Sequence, residues 1–294
     1  MSDVLDLVII GSGPAALSAA IYAGRSNIHA TVFERELIGG ELPKIHWIEN
    51  YPGFEGEGAE LAQKMRDSAE KFGAKFEYGE CTELKKDGEL ITLTVDDKPV
   101  QAKSVLVATG TERRKLNIPG EKEAKRVSYC ATCDAALTKG KEVMIVGGAN
   151  SAVQESFSVL EFCDKVTLLV RTELKCDEVL KERIAQEPRI EVVTGFTPKE
   201  ISEDTESITI SSEEGQSFTG AYVFVFIGNH PATDFLPREV LAKDDGIIVD
   251  DNNETTIKGL FAAGDCVHGA VKQVVTAAGA GAKAVTKIKD LLQK

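Results

Sequence analysis

Apolar residues in this chain come in short runs that end on glycine. The run Val4–Ile10 stops at Gly11, a helix follows to about Gly24, and a second run, "ATVFE" (Ala30–Glu34), comes next. The same order returns later. Val143–Val146 stops at Gly147-Gly148, a helix runs to about Phe162, and "KVTLLVR" (Lys165–Arg171) follows. Runs of this length, bounded by glycine and alternating with helical stretches, predict buried parallel strands with crossover helices. Two more runs read as buried strands, "SVLVATG" (Ser104–Gly110) and "GLFAAGDC" (Gly259–Cys266), and so does Tyr222–Ile227.

Strand, glycine turn, helix, strand is the pattern of a nucleotide-binding unit. Gly147 lies 136 residues beyond Gly11 (147 less 11), so the chain carries two such units. The expected fold is α/β, with two doubly wound dinucleotide-binding-type domains, the second inserted in the first. The polar stretch "NIPGEKEAKR" (Asn117–Arg126) suits the outward crossing. The return falls near Leu241–Gly246. The expected domains are 1–116 with 243–294, and 117–242.

Charge narrows the partners. Lys plus Arg number 34 and Asp plus Glu 47, a net charge of −13. Such acidity argues against nucleic acid and anionic membrane surfaces. No run approaches the roughly 18 apolar residues of a membrane span. The N-terminal run lacks a basic leader and enters a glycine turn directly, so it reads as a first strand and the protein as cytoplasmic. Six cysteines in such a setting point to thiols or a redox pair, not a structural disulfide framework.

In "GSGPAA" (Gly11–Ala16), Gly11 permits the tight turn and Gly13 lets the backbone approach a pyrophosphate. Glu34 stands 23 residues after Gly11 (34 less 11), close to the spacing of about 20 for a carboxylate that binds a ribose hydroxyl. In "SYCATCDAA", Cys130 and Cys133 are spaced to close a small disulfide. Half of a zinc site would need a second pair, but Cys81, Cys163, Cys176 and Cys266 are solitary. Inert thiols are the other reading. Asp134 follows the pair, where an acid serves proton transfer or caps a helix.

Along nearly its whole length the chain resembles the low-molecular-weight thioredoxin reductases. The marks come in order: "GSGPAA", "GGEL", "IENYPGF", "VATG", "CATCD", a second glycine turn, "FIGNHPAT", "AAGDC" and "KQVVTAAGAG". The resemblance implies FAD in the first domain, a redox disulfide in the second, a homodimer, domains that swivel, and thioredoxin as partner. It implies that Cys133 faces the flavin, Cys130 attacks thioredoxin and Asp134 is the acid/base. FAD would be held by Gly11, Ser12, Gly13, Pro14, Ala15, Glu34, Arg35, Gly40, Glu41, Leu42, Asn50, Ala108, Thr109, Gly110, Gly264, Asp265, Lys272, Gln273 and Val274, with no metal. Glu41 and Lys272 stand where the family usually has Gln and Arg. The match places Trp47 near the flavin, where it either stacks on the ring or packs.

The second turn departs from a nicotinamide site. At the offset of 136, Gly13 corresponds to Ala149 and Glu34 to Val170. NADPH-dependent relatives carry a His-Arg-Arg-x-x-x-Arg pattern here. This chain reads "VRTELKCD" (Val170–Asp177), so Arg171 remains while Thr172 and Cys176 replace the other arginines, and Lys175 offers only a point charge. The favoured reading is a thioredoxin-reducing flavoenzyme whose donor is not NADPH, with reduced ferredoxin as first choice. An NADPH-dependent enzyme with a variant site, a dithiol oxidase of a small molecule, and a non-catalytic flavoprotein sensor are the alternatives. "ERRK" (Glu112–Lys115) and "KEAKR" (Lys122–Arg126) form a basic patch that either steers an acidic partner or is a solvated surface.

Overall fold

The run Leu5–Ile10 forms strand β1, with Leu7 to Ile10 buried in succession, as a central parallel strand requires. The computed structural model describes residues 4–45 and 47–293. After the glycine turn, helix α1 spans Pro14–Arg25. Pro14 sits in its first turn, where the missing N–H is no loss. Its buried stripe (Ala16, Ala19, Ala20, Ala23) lies against the sheet core. Strand β2 (Ala30–Glu34) pairs parallel to β1, and β3 (Lys98–Val107) pairs on the other side with Leu5 opposite Ala102. The first half of β3 also pairs antiparallel with Leu90–Val95, which makes the sheet mixed.

The chain then builds a second sheet. Strands β4 (Val127–Ser128) and β5 (Glu142–Val146), helix α2 (Asn150–Leu160), and strands β6 (Lys165–Val170) and β7 (Val223–Val225) follow in sequence. The sheet order is β4, β7, β5, β6 and Ile190–Thr194, all parallel. One face packs α2 through Val153, Val159 and Leu160. The other packs an antiparallel meander (Pro198–Glu203, Ile208–Ser212, Ser217–Gly220) through Ile201, Ile208 and Ile210.

On its return the chain adds β8 (Leu260–Ala262) beside β3 and ends in helix α3 (Val274–Leu292). Helix α3 crosses α1 so closely that a Cβ on Gly281 would stand 2.0 Å from the Ala15 carbonyl oxygen. Only glycine permits that approach.

The chain divides into two compact units, Met1–Glu112 with His230–Lys294, and Arg113–Asn229. The second is therefore inserted in the first. These limits differ from the expected 117–242. The polar-looking stretch after Arg113 is anchored, since Leu116, Ile118 and Ala124 pack in the meander-side core. At the other end, Phe235, Leu236, Val240 and Leu241 belong to the first unit's core. The stretch expected as the return crossing is a tight hairpin within that unit, in which Ala242 N–H donates to Gly246 O at 2.8 Å and Asp245 is left-handed (φ 63°).

A flavin cleft and a redox disulfide

In the first unit the ends of β1, β2 and β3 open on a cleft of about 730 Å³. The first glycine turn forms its floor. Gly11 is left-handed (φ 91°), and a Cβ there would stand 2.5 Å from the Ala108 carbonyl oxygen. A Cβ on Gly13 would meet nothing within 4 Å, so the backbone faces open space at the start of α1. An open, glycine-lined helix N-terminus is what a pyrophosphate requires.

The carboxylate at the end of β2 is held ready beside that turn. Glu34 Oε2 accepts the Ser12 hydroxyl at 2.6 Å, and Oε1 accepts the Glu36 N–H at 2.9 Å. Ser12 Oγ in turn accepts the Gly39 N–H at 3.1 Å. Arg35 bonds to Glu112 and Glu80. Glu41 pairs with Lys44 at 2.7 Å. Asn50 donates to Gln273 Oε1 at 3.1 Å, which ties the strand Ile48–Tyr51 to the cap of α3. Burial raises the Asp265 carboxyl above its ordinary value, opposed by Lys272 and helped by Glu41.

Every residue that the resemblance assigns to FAD lines this one cleft. Trp47 is at its wall with 53% of its surface exposed. The walls also contain residues that the sequence reading missed, Glu80–Thr82 and Ala232–Phe235. Ala232 and Thr233 end the "FIGNHPAT" mark, and the others carry no motif. They reach the cleft because Leu84 N–H bonds to Phe235 O and Thr109 Oγ1 to Ala232 O. The residues present fit FAD: an open glycine turn for the pyrophosphate, an anchored acid for a ribose, and room for an extended molecule.

The second glycine turn shares the backbone build of the first and differs in its side chains. A Cβ on Gly147 would stand 2.3 Å from Phe226 O, and one on Gly148 would stand 2.6 Å from Val170 Cγ1. Ala149 caps α2, and Val170, at the place of an acid, is buried. The loop after β6 is bonded onto the turn. Lys175 N–H donates to Gly148 O at 2.7 Å, and Lys175 bridges Ala149. Asn150, the first residue of α2, exchanges two hydrogen bonds with Asp177: its Nδ2 to Asp177 Oδ2 at 2.9 Å, and Asp177 N–H to its Oδ1 at 2.8 Å. The first turn carries the equivalent loop bond, Gly39 N–H to Ser12 O at 3.2 Å, so what sets the second apart is the Ala149 methyl at the place of Gly13, the buried Val170 at the place of Glu34, and the Asn150–Asp177 pair.

Cys130 and Cys133 form a disulfide in the second unit. They bracket a single helical turn, Ala131–Asp134, in which Cys130 is the cap and Cys133 N–H donates to its Sγ at 3.2 Å. Cys130 is half-buried and Cys133 exposed. The Asp134 carboxylate accepts the Ser128 hydroxyl at 2.6 Å. Upstream, the buried Glu121 carboxylate accepts the N–H groups of Leu116 (2.7 Å) and Asn117 (2.6 Å) and the Tyr129 hydroxyl. Burial and that carboxylate drive the Tyr129 phenol far above its ordinary value.

The other thiols are placed for packing. Cys81, Cys163 and Cys266 are buried, and burial pushes each up to about 11. Cys176 is half-buried. The basic patch is partly spent on structure. Arg126 bonds to Glu203 and to the carbonyls of Asp204 and Thr205, and Arg113 lies over the Phe226 ring. Lys115, Lys122 and Lys125 stay exposed.

Comparison with known proteins bears on both sites. The pyridine nucleotide-disulphide oxidoreductase family model matches residues 5–281. The thioredoxin reductase of Bacillus subtilis (strain 168) is 36% identical over 303 residues, 99% of this chain and 96% of that protein. The crystal structure of Lactococcus lactis thioredoxin reductase is similar with a TM-score of 0.87 and 34% identity, covering 98% of this chain and 99% of that one. A ferredoxin-flavin thioredoxin reductase from Clostridium acetobutylicum is similar with a TM-score of 0.57 and 30% identity, covering 99% and 98%. The chain belongs to the pyridine nucleotide-disulphide oxidoreductase family, as a flavoenzyme of the thioredoxin reductase type with FAD as its cofactor.

Proposed function

We propose that this flavoenzyme reduces thioredoxin through Cys130 and Cys133 with electrons that do not come from NADPH, and that reduced ferredoxin is the donor. The observation that carries the donor reading is the second turn, where Ala149 and the buried Val170 replace a glycine and an acid and Asn150 exchanges two hydrogen bonds with Asp177. A pyrophosphate would have to approach the Asp177 carboxylate, which is paired with Asn150 at the start of α2. It would also meet the Ala149 methyl, and only Arg171 of the arginine set remains. Each lost arginine–phosphate contact costs about 1.5–3 kcal/mol, so the losses together weaken a nicotinamide by orders of magnitude. The relative named as a ferredoxin-flavin enzyme supports ferredoxin. The exposed Lys115, Lys122 and Lys125 suit an acidic protein donor or acceptor.

The first unit is the FAD domain, with the glycine turn and α1 facing the pyrophosphate, Glu34 a ribose, and Asp265, Lys272 and Gln273 the rest. When bound, FAD supplies the two electrons that open the Cys130–Cys133 disulfide. Cys130 then attacks thioredoxin's disulfide, and Cys133 resolves the mixed disulfide. Asp134 carries protons for the pair. A homodimer in the cytoplasm completes the reading. Among the described residues no helix is long and apolar enough to cross a membrane.

The test is turnover. Holoenzyme, oxidised thioredoxin and chemically reduced ferredoxin are mixed without oxygen and the thioredoxin thiols are counted. Thiols should appear with ferredoxin and not with NADPH. Turnover on NADPH at micromolar levels would make this the NADPH-dependent enzyme instead. Thiols from neither donor, with rapid flavin reoxidation in air, would favour the dithiol oxidase.

A further inference from the structure

Ser128 occupies β4, paired with Phe224 of β7, and only 3% of its surface is exposed. Its hydroxyl oxygen has three polar neighbours: Asp134 Oδ2 at 2.6 Å, the Cys130 nitrogen at 3.1 Å and the Cys130 carbonyl oxygen at 3.2 Å. A hydroxyl has one hydrogen and two lone pairs. The Cys130 N–H can only donate, so it uses a lone pair. The hydrogen goes to Asp134, the shortest contact and the charge-assisted one. The Cys130 carbonyl receives the Asp134 N–H at 3.2 Å instead. Asp134 is thus tied to the Cys130 backbone twice, once through its own N–H and once through Ser128.

The consequence falls on one atom. Oδ2 is committed to a buried hydroxyl, which leaves Oδ1 as the oxygen that can exchange a proton. Without Ser128 the carboxylate could turn about its last torsion, and the Cys130 N–H would lose this acceptor.

We propose that Ser128 is a positioning residue for dithiol–disulfide exchange, holding Asp134 by Oδ2 so that Oδ1 serves the Cys130–Cys133 pair. This rests on the reading of Asp134 as the acid/base. The enzyme's dithiol starts with two S–H groups. Cys130 gives its proton to Asp134 Oδ1 and attacks one thioredoxin sulfur. A Cys130–thioredoxin bond forms, thioredoxin's S–S bond breaks, and the departing thiolate takes the proton. Cys133 then attacks Cys130 Sγ, re-forming the enzyme disulfide, and its proton goes to the second thioredoxin thiolate. Two electrons and two protons pass to thioredoxin.

The test bypasses the donor. Holoenzyme reduced with dithionite and freed of excess is mixed with oxidised thioredoxin, and the exchange is quenched and followed by thiol alkylation. Ser128→Thr and Ser128→Val introduce nearly the same volume and differ in the hydroxyl, so packing damage is common to both. Val should slow the saturated exchange rate about tenfold relative to Thr, with half-saturation unchanged. In the Asp134→Asn background, replacing Thr by Val at position 128 should have no further effect, because the hydroxyl acts through Asp134. Equal rates for Thr and Val, or a Val penalty that multiplies with Asp134→Asn, would overturn the proposal. The same variants are run on a small aromatic disulfide. If wild-type reduced enzyme reacts with it and not with thioredoxin, the thioredoxin reading fails while the Thr/Val comparison still decides the role of Ser128.

Discussion

At the scale of single residues, the two glycine turns differ in what faces them. Gly13 looks onto open space, whereas at the second turn Ala149 stands at its place and Asn150 is paired with Asp177. The Ala149 and Val170 replacements were legible in the sequence because they sit at fixed offsets from a known pattern. The Asn150–Asp177 pairing was not, because it joins residues 27 apart whose side chains have no motif of their own. Ser128 and Glu121 were missed for the same reason: a buried hydroxyl or carboxylate shows its use only when its partners are in place.

The cysteine roles follow from resemblance, and Cys133 is the more exposed of the pair. Their assignment is open to a direct check. Cys133→Ser should accumulate a stable mixed disulfide with thioredoxin through Cys130, seen as a covalent band removed by reductant. Cys130→Ser should not. A stable band from Cys130→Ser alone would reverse the roles.

The buried thiols give a pH prediction. Burial raises Cys81, Cys163 and Cys266 to about 11 from an ordinary value near 9, so they stay protonated in the fold where an unfolded chain would ionise. Folding is favoured by this below pH 9, and the advantage is lost as pH rises toward 11. Alkylation of the oxidised native protein at pH 8 should therefore label Cys176 and leave these three unmodified, as read by peptide mass. Labelling of Cys266 before Cys176 would contradict the burial argument.

At the scale of elements, the strand–turn–helix units were legible because their signal is local: a short apolar run, a glycine, a helix and an acid at a set distance. The limits of the inserted unit were not. Asn117–Arg126 is polar in composition, yet Ile118 and Ala124 pack and Glu121 is buried. Leu236 and Val240 sit in a stretch broken by proline and charge, and their burial comes from a sheet formed far away in sequence. The α1–α3 crossing belongs to this scale too. Gly281→Val should force the helices apart at Ala15, beside the flavin turn. We expect a loss of about 1–3 kcal/mol together with FAD loss on gel filtration. A variant that keeps both its melting temperature and its flavin would show that this close approach does not matter.

At the scale of the whole molecule, one chain carries two copies of one unit put to different uses. The first keeps an open turn and a carboxylate anchored by Ser12 and the Glu36 amide. The second keeps the strand order and carries the cysteines, while Ala149 and the buried Val170 replace the glycine and the acid. The second unit also carries the disulfide. On the proposed reading, that duty is what keeps the second fold in use without NADPH.

The most direct measurement is an anaerobic titration of the holoenzyme, following the oxidised flavin band as NADPH, then NADH, then reduced ferredoxin are added. The account predicts no bleaching with either nicotinamide and bleaching with ferredoxin. Bleaching by stoichiometric NADPH would contradict it, and would mean that the second turn accepts the cofactor despite Ala149, Val170 and the Asn150–Asp177 pair.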